Sequence, residues 1–400
     1  MNMKMKISLI RVFLMCFIVN SAEAQWTQKA DFAGTARRGC TGFSIGTKIF
    51  IGTGFDDTVN KDFWEYDTGS DTWTQLEDFG GTARWDAIGF SIGTKGYIGT
   101  GYTGSSFKKD FWEYDPSTNT WTQKANFGGP VRRDAVGFSI GTKGYIGTGY
   151  GTPAGTYYKD FWEYDPENDI WTQKADFGGT SRDGAIGFSI GSKGYIGTGQ
   201  DFNDNYYKDF WEYNQANNTW TQKAFFGGSA RTGAVGFSIG SKGFIGTGLN
   251  GTFPYSELKD FWEYNPISDS WTQKADLEGP ERWEAIGLSN STKGFIGTGQ
   301  GQGDYLIDFW EYLPNSGVSV AEPSQASWIK LFPNPFFDKL EIETQQFSSI
   351  EIINLQHQTV ASVNTKTNKT IIDLSSLASG VYLITAKSDK GFLTKKFIKK

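Results

Sequence analysis

The five residues Asp-Phe-Trp-Glu-Tyr occur six times in this chain, with their tryptophans at Trp64, Trp112, Trp162, Trp211, Trp262 and Trp310. Successive copies are 48, 50, 49, 51 and 48 residues apart. Such a period marks a repeat architecture, in which one unit buries its apolar faces only against its neighbours. Each unit reads as four strands. Ala87-Ile88-Gly89-Phe90-Ser91-Ile92 is a first alternating run, Gly93-Thr94-Lys95 a turn, and Gly96-Tyr97-Ile98-Gly99-Thr100 a second strand. After a loop of variable length come Asp110-Phe111-Trp112-Glu113-Tyr114, a Pro116-containing turn, and Thr120-Trp121-Thr122-Gln123. Phe111 faces one way along its strand and Trp112 the other, which suits a sheet pressed between two others. The pattern predicts an all-β, six-bladed β-propeller over residues 25–312.

The ends of the array complement one another. A Trp-Thr-Gln-Lys phrase starting at Trp26 precedes any complete repeat, and the sixth Asp-Phe-Trp-Glu-Tyr ends at Tyr312 with no such phrase after it. Residues 25–29 are therefore expected to add the outer strand of the last blade, closing the ring and removing two open sheet edges. Glycine at 51 residues, aromatics at 16% and charge at only 20% fit a turn-rich, aromatic-packed β protein.

Ahead of Gln25, the basic Lys4, Lys6 and Arg11 are followed by an apolar stretch from Val12 to Val19 and by Ala22-Glu23-Ala24. That order reads as a cleaved signal peptide over residues 1–24, too short in its apolar part to span a bilayer. Met15 before Cys16 argues against lipoprotein processing. Cleavage leaves Cys40 alone, so no intramolecular disulfide can form. No transmembrane segment is expected in the mature chain. The net charge of −6 places −12 on residues 25–329, which disfavours nucleic acid as a partner.

Tyr114-Asp115-Pro116, Trp121 and the Arg ahead of the first strand make residues 25–312 resemble the kelch repeat family, with Gly99-Thr100-Gly101 standing in every copy where that family has a glycine doublet. A linker over 313–329 leads to a different module. Its apolar runs, at Leu331-Phe332, Leu340 to Ile342, Ile350 to Ile352, Ile371 to Leu374, Val381 to Ile384 and Phe397-Ile398, give about six short strands of a small C-terminal β-sandwich. The opening Pro333-Asn334-Pro335, the Asp373 to Tyr382 run and the basic end resemble the C-terminal sorting domain of the type IX secretion system over residues 330–400. His357, the only histidine, stands where that family has a turn glycine. The resemblance implies the type IX machinery as a partner, passage through the periplasm, and a secreted or outer-surface location.

In a propeller, the loops before strand one and after strand two share a face. The variation between repeats is concentrated there, with Tyr157, Tyr158, Phe202, Tyr206, Tyr207, Phe253 and Tyr255 in the loops after strand two. Loops on a rigid scaffold are where specificity resides. Arg37, Arg84, Arg132, Arg182, Arg231 and Arg282 each precede the innermost strand and are expected around the same funnel. Either they bind a carboxylate ligand, or each pairs with a repeated acid such as Glu65 or Glu113, or caps the next blade. The residues that follow them break the symmetry: Arg38-Gly39, Trp85-Asp86, Arg133-Asp134, Asp183-Gly184, Thr232-Gly233 and Trp283-Glu284. Trp85 and Trp283 are candidates to stack on a sugar or aromatic ring, with Asp86, Asp134, Asp183 and Glu284 as polar partners.

The inventory limits the chemistry. With no histidine in the repeats, neither a copper or zinc cluster nor a Ser-His or Cys-His pair can be assembled there. Asp201-Phe202-Asn203-Asp204-Asn205 offers oxygens suited to calcium but lacks the pattern of a dedicated loop. No catalytic residue, metal or cofactor is therefore expected. The sequence reads as a binding module for a glycan or protein ligand at the cell surface. The alternatives are a metal-independent epimerase, mutarotase or hydrolase acting on acidic sugars through Asp, Glu, Tyr and Arg, and a structural surface protein without a small ligand.

Overall fold

The computed structural model describes residues 25–153, 155–251, 256–314, 329–332, 337–344, 349–354, 359–364, 369–388 and 391–399. The expected signal peptide, most of the linker, Pro333-Asn334-Pro335 and His357 lie outside the described residues. The chain divides into two compact units, residues 1–317 and 318–400.

In the first unit each repeat folds as a four-stranded antiparallel sheet. Ile88–Ile92, Lys95–Gly99, Phe111–Asp115 and Thr120–Lys124 lie side by side in one of them, each within one residue of the bounds read from the sequence. Alternation decides which side chains go inside. Ile88, Phe90 and Ile92 are buried, while Gly89 and Ser91 between them are half-buried beside an axial channel of about 180 Å³. The hairpin joining the first two strands has only two loop residues, since Ile92 faces Lys95, and its first position needs the positive φ of +60° that Gly93 supplies.

The innermost strands touch one another in sequence order, and Ile286–Ser289 touches Thr41–Ile45. Aromatic side chains fill the seams between blades. Phe111 packs edge-on between Tyr164 at 4.8 Å and Trp171 at 5.0 Å in the following blade, and Phe63, Phe161 and Phe210 repeat the arrangement. Such pairs contribute roughly 0.5–1.5 kcal/mol each beyond the area they bury. The repeated phrase is thus a blade-to-blade fastener.

Gln25–Lys29 pairs antiparallel with Phe309–Leu313 and supplies the sixth sheet with its fourth strand. Trp26, 2% exposed, sits 4.9 Å from Tyr312 and 5.0 Å from Phe261, and its Nε1 donates to the Ala275 carbonyl at 3.1 Å.

The second unit holds a three-stranded sheet of Ile329–Phe332, Lys339–Thr344 and Lys369–Asp373, and a four-stranded sheet. Thr359–Asn364, Ser349–Ile353, Gly380–Ser388 and Gly391–Lys399 form the latter. Leu340, Ile342, Ile350, Ile352, Ile384 and Phe397 are fully buried in its core. Among the described residues seven strands stand where the sequence suggested about six. The one it missed, Thr359–Asn364, is an edge strand in which three small polar residues interrupt Val360, Ala361 and Val363, and an edge strand needs no continuous apolar run.

Candidate functional site

The six repeated arginines are buried and paired inside the blades. Each is at most 1% exposed, and each guanidinium is bound to the aspartate that opens the repeated phrase. Arg84 donates from Nη1 and Nη2 to the two carboxylate oxygens of Asp110, both at 2.7 Å, from Nη1 to the Thr100 carbonyl at 2.7 Å and from Nε to the Thr82 carbonyl at 2.9 Å. Arg37, Arg132, Arg182 and Arg231 bind Asp62, Asp160, Asp209 and Asp260 in the same way, and Arg282 reaches Asp308 through Nη2 alone. This corrects the expectation of a carboxylate-binding ring at the mouth. It also corrects the partner, which is the Asp of the phrase and not Glu65 or Glu113. The same aspartate oxygen accepts the indole N–H two residues on, as Trp112 shows at 2.8 Å. Burial pushes Asp110 upward, but the Arg84 guanidinium outweighs it and holds the carboxyl below its ordinary range.

Two of the loop aromatics serve this buried layer. Tyr158 lies 4.3 Å over Arg132 and Tyr207 4.1 Å over Arg182. Asp201 is consumed locally. Its oxygens accept from the Asn203 and Asn205 amides, the Asn205 side chain and the Tyr207 hydroxyl. Phe253 and Tyr255 lie outside the described residues.

The symmetry-breaking positions do converge. Arg38, Trp85, Arg133, Asp134, Asp183, Gln200, Thr232, Trp283 and Glu284 surround a cavity of about 270 Å³. Two features of the backbone aim them there. The residue after each buried arginine bridges to the residue that follows Gly-Thr-Gly, as in Trp85 with Tyr102, Asp183 with Gln200 and Trp283 with Gln300. The next position joins a closed ring of peptide hydrogen bonds. The N–H of Gly39 donates to Glu284, Glu284 to Gly233, Gly233 to Gly184, Gly184 to Asp134, Asp134 to Asp86 and Asp86 back to Gly39, at 2.9–3.2 Å. Asp86, with its side chain almost fully buried, lines a smaller cavity of about 120 Å³ together with Asp134 and Glu284. Of the pocket residues, Arg38, Arg133, Gln200 and Thr232 were not among the expected ligand groups. The repeat alignment already set the first two apart, and Gln200 is the position after Gly-Thr-Gly, which also varies between blades.

The family model of the KLHDC2/KLHL20/DRC7 Kelch-repeats domain matches residues 11–181. That of the secretion system C-terminal sorting domain matches residues 330–400. The chain carries kelch repeats and a type IX sorting domain. No curated protein matches it. The solved structure titled "Structure of YjhT" superposes with a TM-score of 0.59 at 15% identity, covering 70% of this chain and 95% of that one, which shows a shared fold. The sorting domain marks the kelch-repeat protein for export to the cell surface or beyond. Among the described residues no helix is long and apolar enough to cross a membrane.

Electrostatically, the axial pocket of the kelch-repeat protein is rich in acid. Arg38 binds Glu284 at 3.0 Å, and Arg133 reaches Asp86 and Asp134 at 3.4 Å each. Burial, followed by the neighbouring Asp134 carboxylate, pushes Asp183 up to about 8 and Glu284 up to about 7. Burial raises Asp86 and Asp134 as well. An acid whose folded pKa lies above its unfolded value binds more protons folded than unfolded between the two values. Its stabilising contribution is complete below the unfolded value and is lost as pH rises through the folded one. The melting temperature is therefore expected to fall as pH rises from about 5 to about 9, and Asp183→Asn to flatten that slope, as thermal denaturation across this range would read.

Proposed function

We propose that the kelch-repeat protein is a surface-exported binding module whose axial pocket takes the terminal residue of a glycan. The observation that carries this reading is the meeting of Trp85 and Trp283 with two arginines and three acids around one cavity of about 270 Å³. Binding cavities for small molecules run upward from roughly 300 Å³, so this one suits a single sugar ring better than a protein surface. Half-buried indoles offer an apolar face, Asp134, Asp183 and Glu284 accept hydroxyl or amino hydrogens, and Arg38 and Arg133 donate to acceptors or a carboxylate. These side chains occupy positions where the blades differ, which packing between like blades does not require.

Titration with neutral, amino and uronic monosaccharides, followed by glycan-array screening, tests the reading. Binding is expected to weaken about tenfold or more in Trp283→Ala and in Asp134→Asn, as for central residues of a desolvated site. Equal binding of one ligand set by wild type and both variants would overturn it. Capture of a protein through this face, unaffected by free sugar, would favour a protein ligand.

A second reading follows from the acids raised toward neutrality. Near pH 7 Glu284 and Asp183 can each give or take a proton, with Arg38 and Arg133 available to hold a carboxylate, which is the equipment of an epimerase, mutarotase or hydrolase acting on acidic sugars. Turnover of sialic or uronic acids by the purified protein, lost in Glu284→Gln, would support it, and no turnover across that panel would count against it.

A further inference from the structure

Three carboxylates from separate blades meet on the propeller axis. Oxygens of Asp86, Asp134 and Glu284 all lie within 4.8 Å of one another. They fill three of the six positions of the peptide ring, the other three being Gly39, Gly184 and Gly233, and all six have left-handed backbone with φ between 48° and 61°. Glycine adopts that conformation freely, whereas a side chain there is strained, and strain of this kind collects at functional sites. Packing alone is satisfied by glycine in half of the ring.

An independent observation points to a missing occupant. Asp183 is 5% exposed, lines the cavity above with Asp134 and Glu284, and its Oδ1 has no hydrogen-bond partner. The charges are also out of balance. Among the described residues Asp86, Asp134, Asp183 and Glu284 face Arg38 and Arg133, so the formal charge of the cluster is −2 when all four acids are ionised. Arg133 stands 3.4 Å from both Asp86 and Asp134, beyond the roughly 2.7–2.9 Å of a strong charge-assisted hydrogen bond. Oxygen lone pairs therefore remain available at the centre.

We propose that this cluster is a calcium site, with Asp86, Asp134 and Glu284 as direct ligands on the axis and Asp183 engaging the ion from above, directly or through water. One divalent cation balances the two uncompensated charges. An all-oxygen donor set selects a hard cation over zinc or copper, and calcium accepts irregular geometry with water completing its shell, for which the adjoining cavity provides room. The sequence showed no metal signature because no one segment holds the ligands; each comes from a different blade. The inference does not depend on the sugar reading.

The test uses the full mature chain, stripped with chelator and free of sugar. Calcium is expected to bind at one saturable site with a dissociation constant of about 10⁻⁵ to 10⁻³ M, as in extracellular modules, and to raise the melting temperature. Terbium should bind in its place and luminesce on tryptophan excitation through Trp85 and Trp283, and calcium should quench that signal. Asp134→Asn and Glu284→Gln should each weaken binding at least tenfold, whereas Asp201→Asn should leave it unchanged. Absence of both calorimetric heat and melting shift in wild type at about 10 mM calcium would overturn the proposal, a result independent of how any variant folds. So would equal affinity for magnesium, or unchanged affinity in both folded variants. Sugar binding that persists in chelator would separate the fate of this site from that of the glycan reading.

Discussion

Arg84→Met is expected to destabilise the propeller by about 3–5 kcal/mol, because it leaves the Asp110 carboxylate partly buried without its counter-charge. Arg84 is fully buried and makes five hydrogen bonds, two of them to Asp110. The pair also holds together parts of the blade that are distant in sequence. Adding Asp110→Asn to Arg84→Met should recover a substantial share of the loss, since a neutral amide can still accept the Trp112 indole N–H. Chemical denaturation of wild type, single and double variants measures this. Equal losses in the single and double variants would show that the stranded charge is not the cause.

Deletion of residues 25–30 is expected to lower the melting of the whole ring, not to fray one end. The deletion removes the strand paired with Phe309–Leu313 and the Trp26 side chain that fills the seam beside Phe261 and Tyr312. The edge of Phe309–Leu313 loses its partner in a structure whose blades are otherwise joined around a full circle. The milder Trp26→Ala should cost about 3–5 kcal/mol, as truncation of a buried tryptophan does. Retention of the wild-type thermal transition after the deletion would sink this account of closure.

How much could be read in advance differs between fold and site. The strands were legible because alternation and turn chemistry are local, and the pairing of Gln25–Lys29 with the last repeat followed from a phrase missing at one end and spare at the other. Pairing of the arginines with a repeated acid was one of the alternatives, but the acid was misread for a physical reason. Their position before the innermost strand was correct, but a left-handed turn at Thr100 and its counterparts points the Thr carbonyl at the guanidinium, and Asp110 approaches from the third strand. Spacing along the chain does not contain that approach. Trp85, Asp134, Asp183, Trp283 and Glu284 were found because they differ between blades, which is visible without coordinates.

By itself the sequence determined a repeated four-stranded unit, its number, its likeness to kelch repeats, the sorting module at the end and the positions where symmetry fails. These follow from periodicity and from residues close together in the chain. Only the tertiary structure decided that the repeated arginines are spent on the repeated aspartates, and that Asp86, Asp134 and Glu284 share one point on the axis. Both depend on the rotation of each blade about a common centre, which brings together side chains whose separation in sequence carries no trace of their meeting.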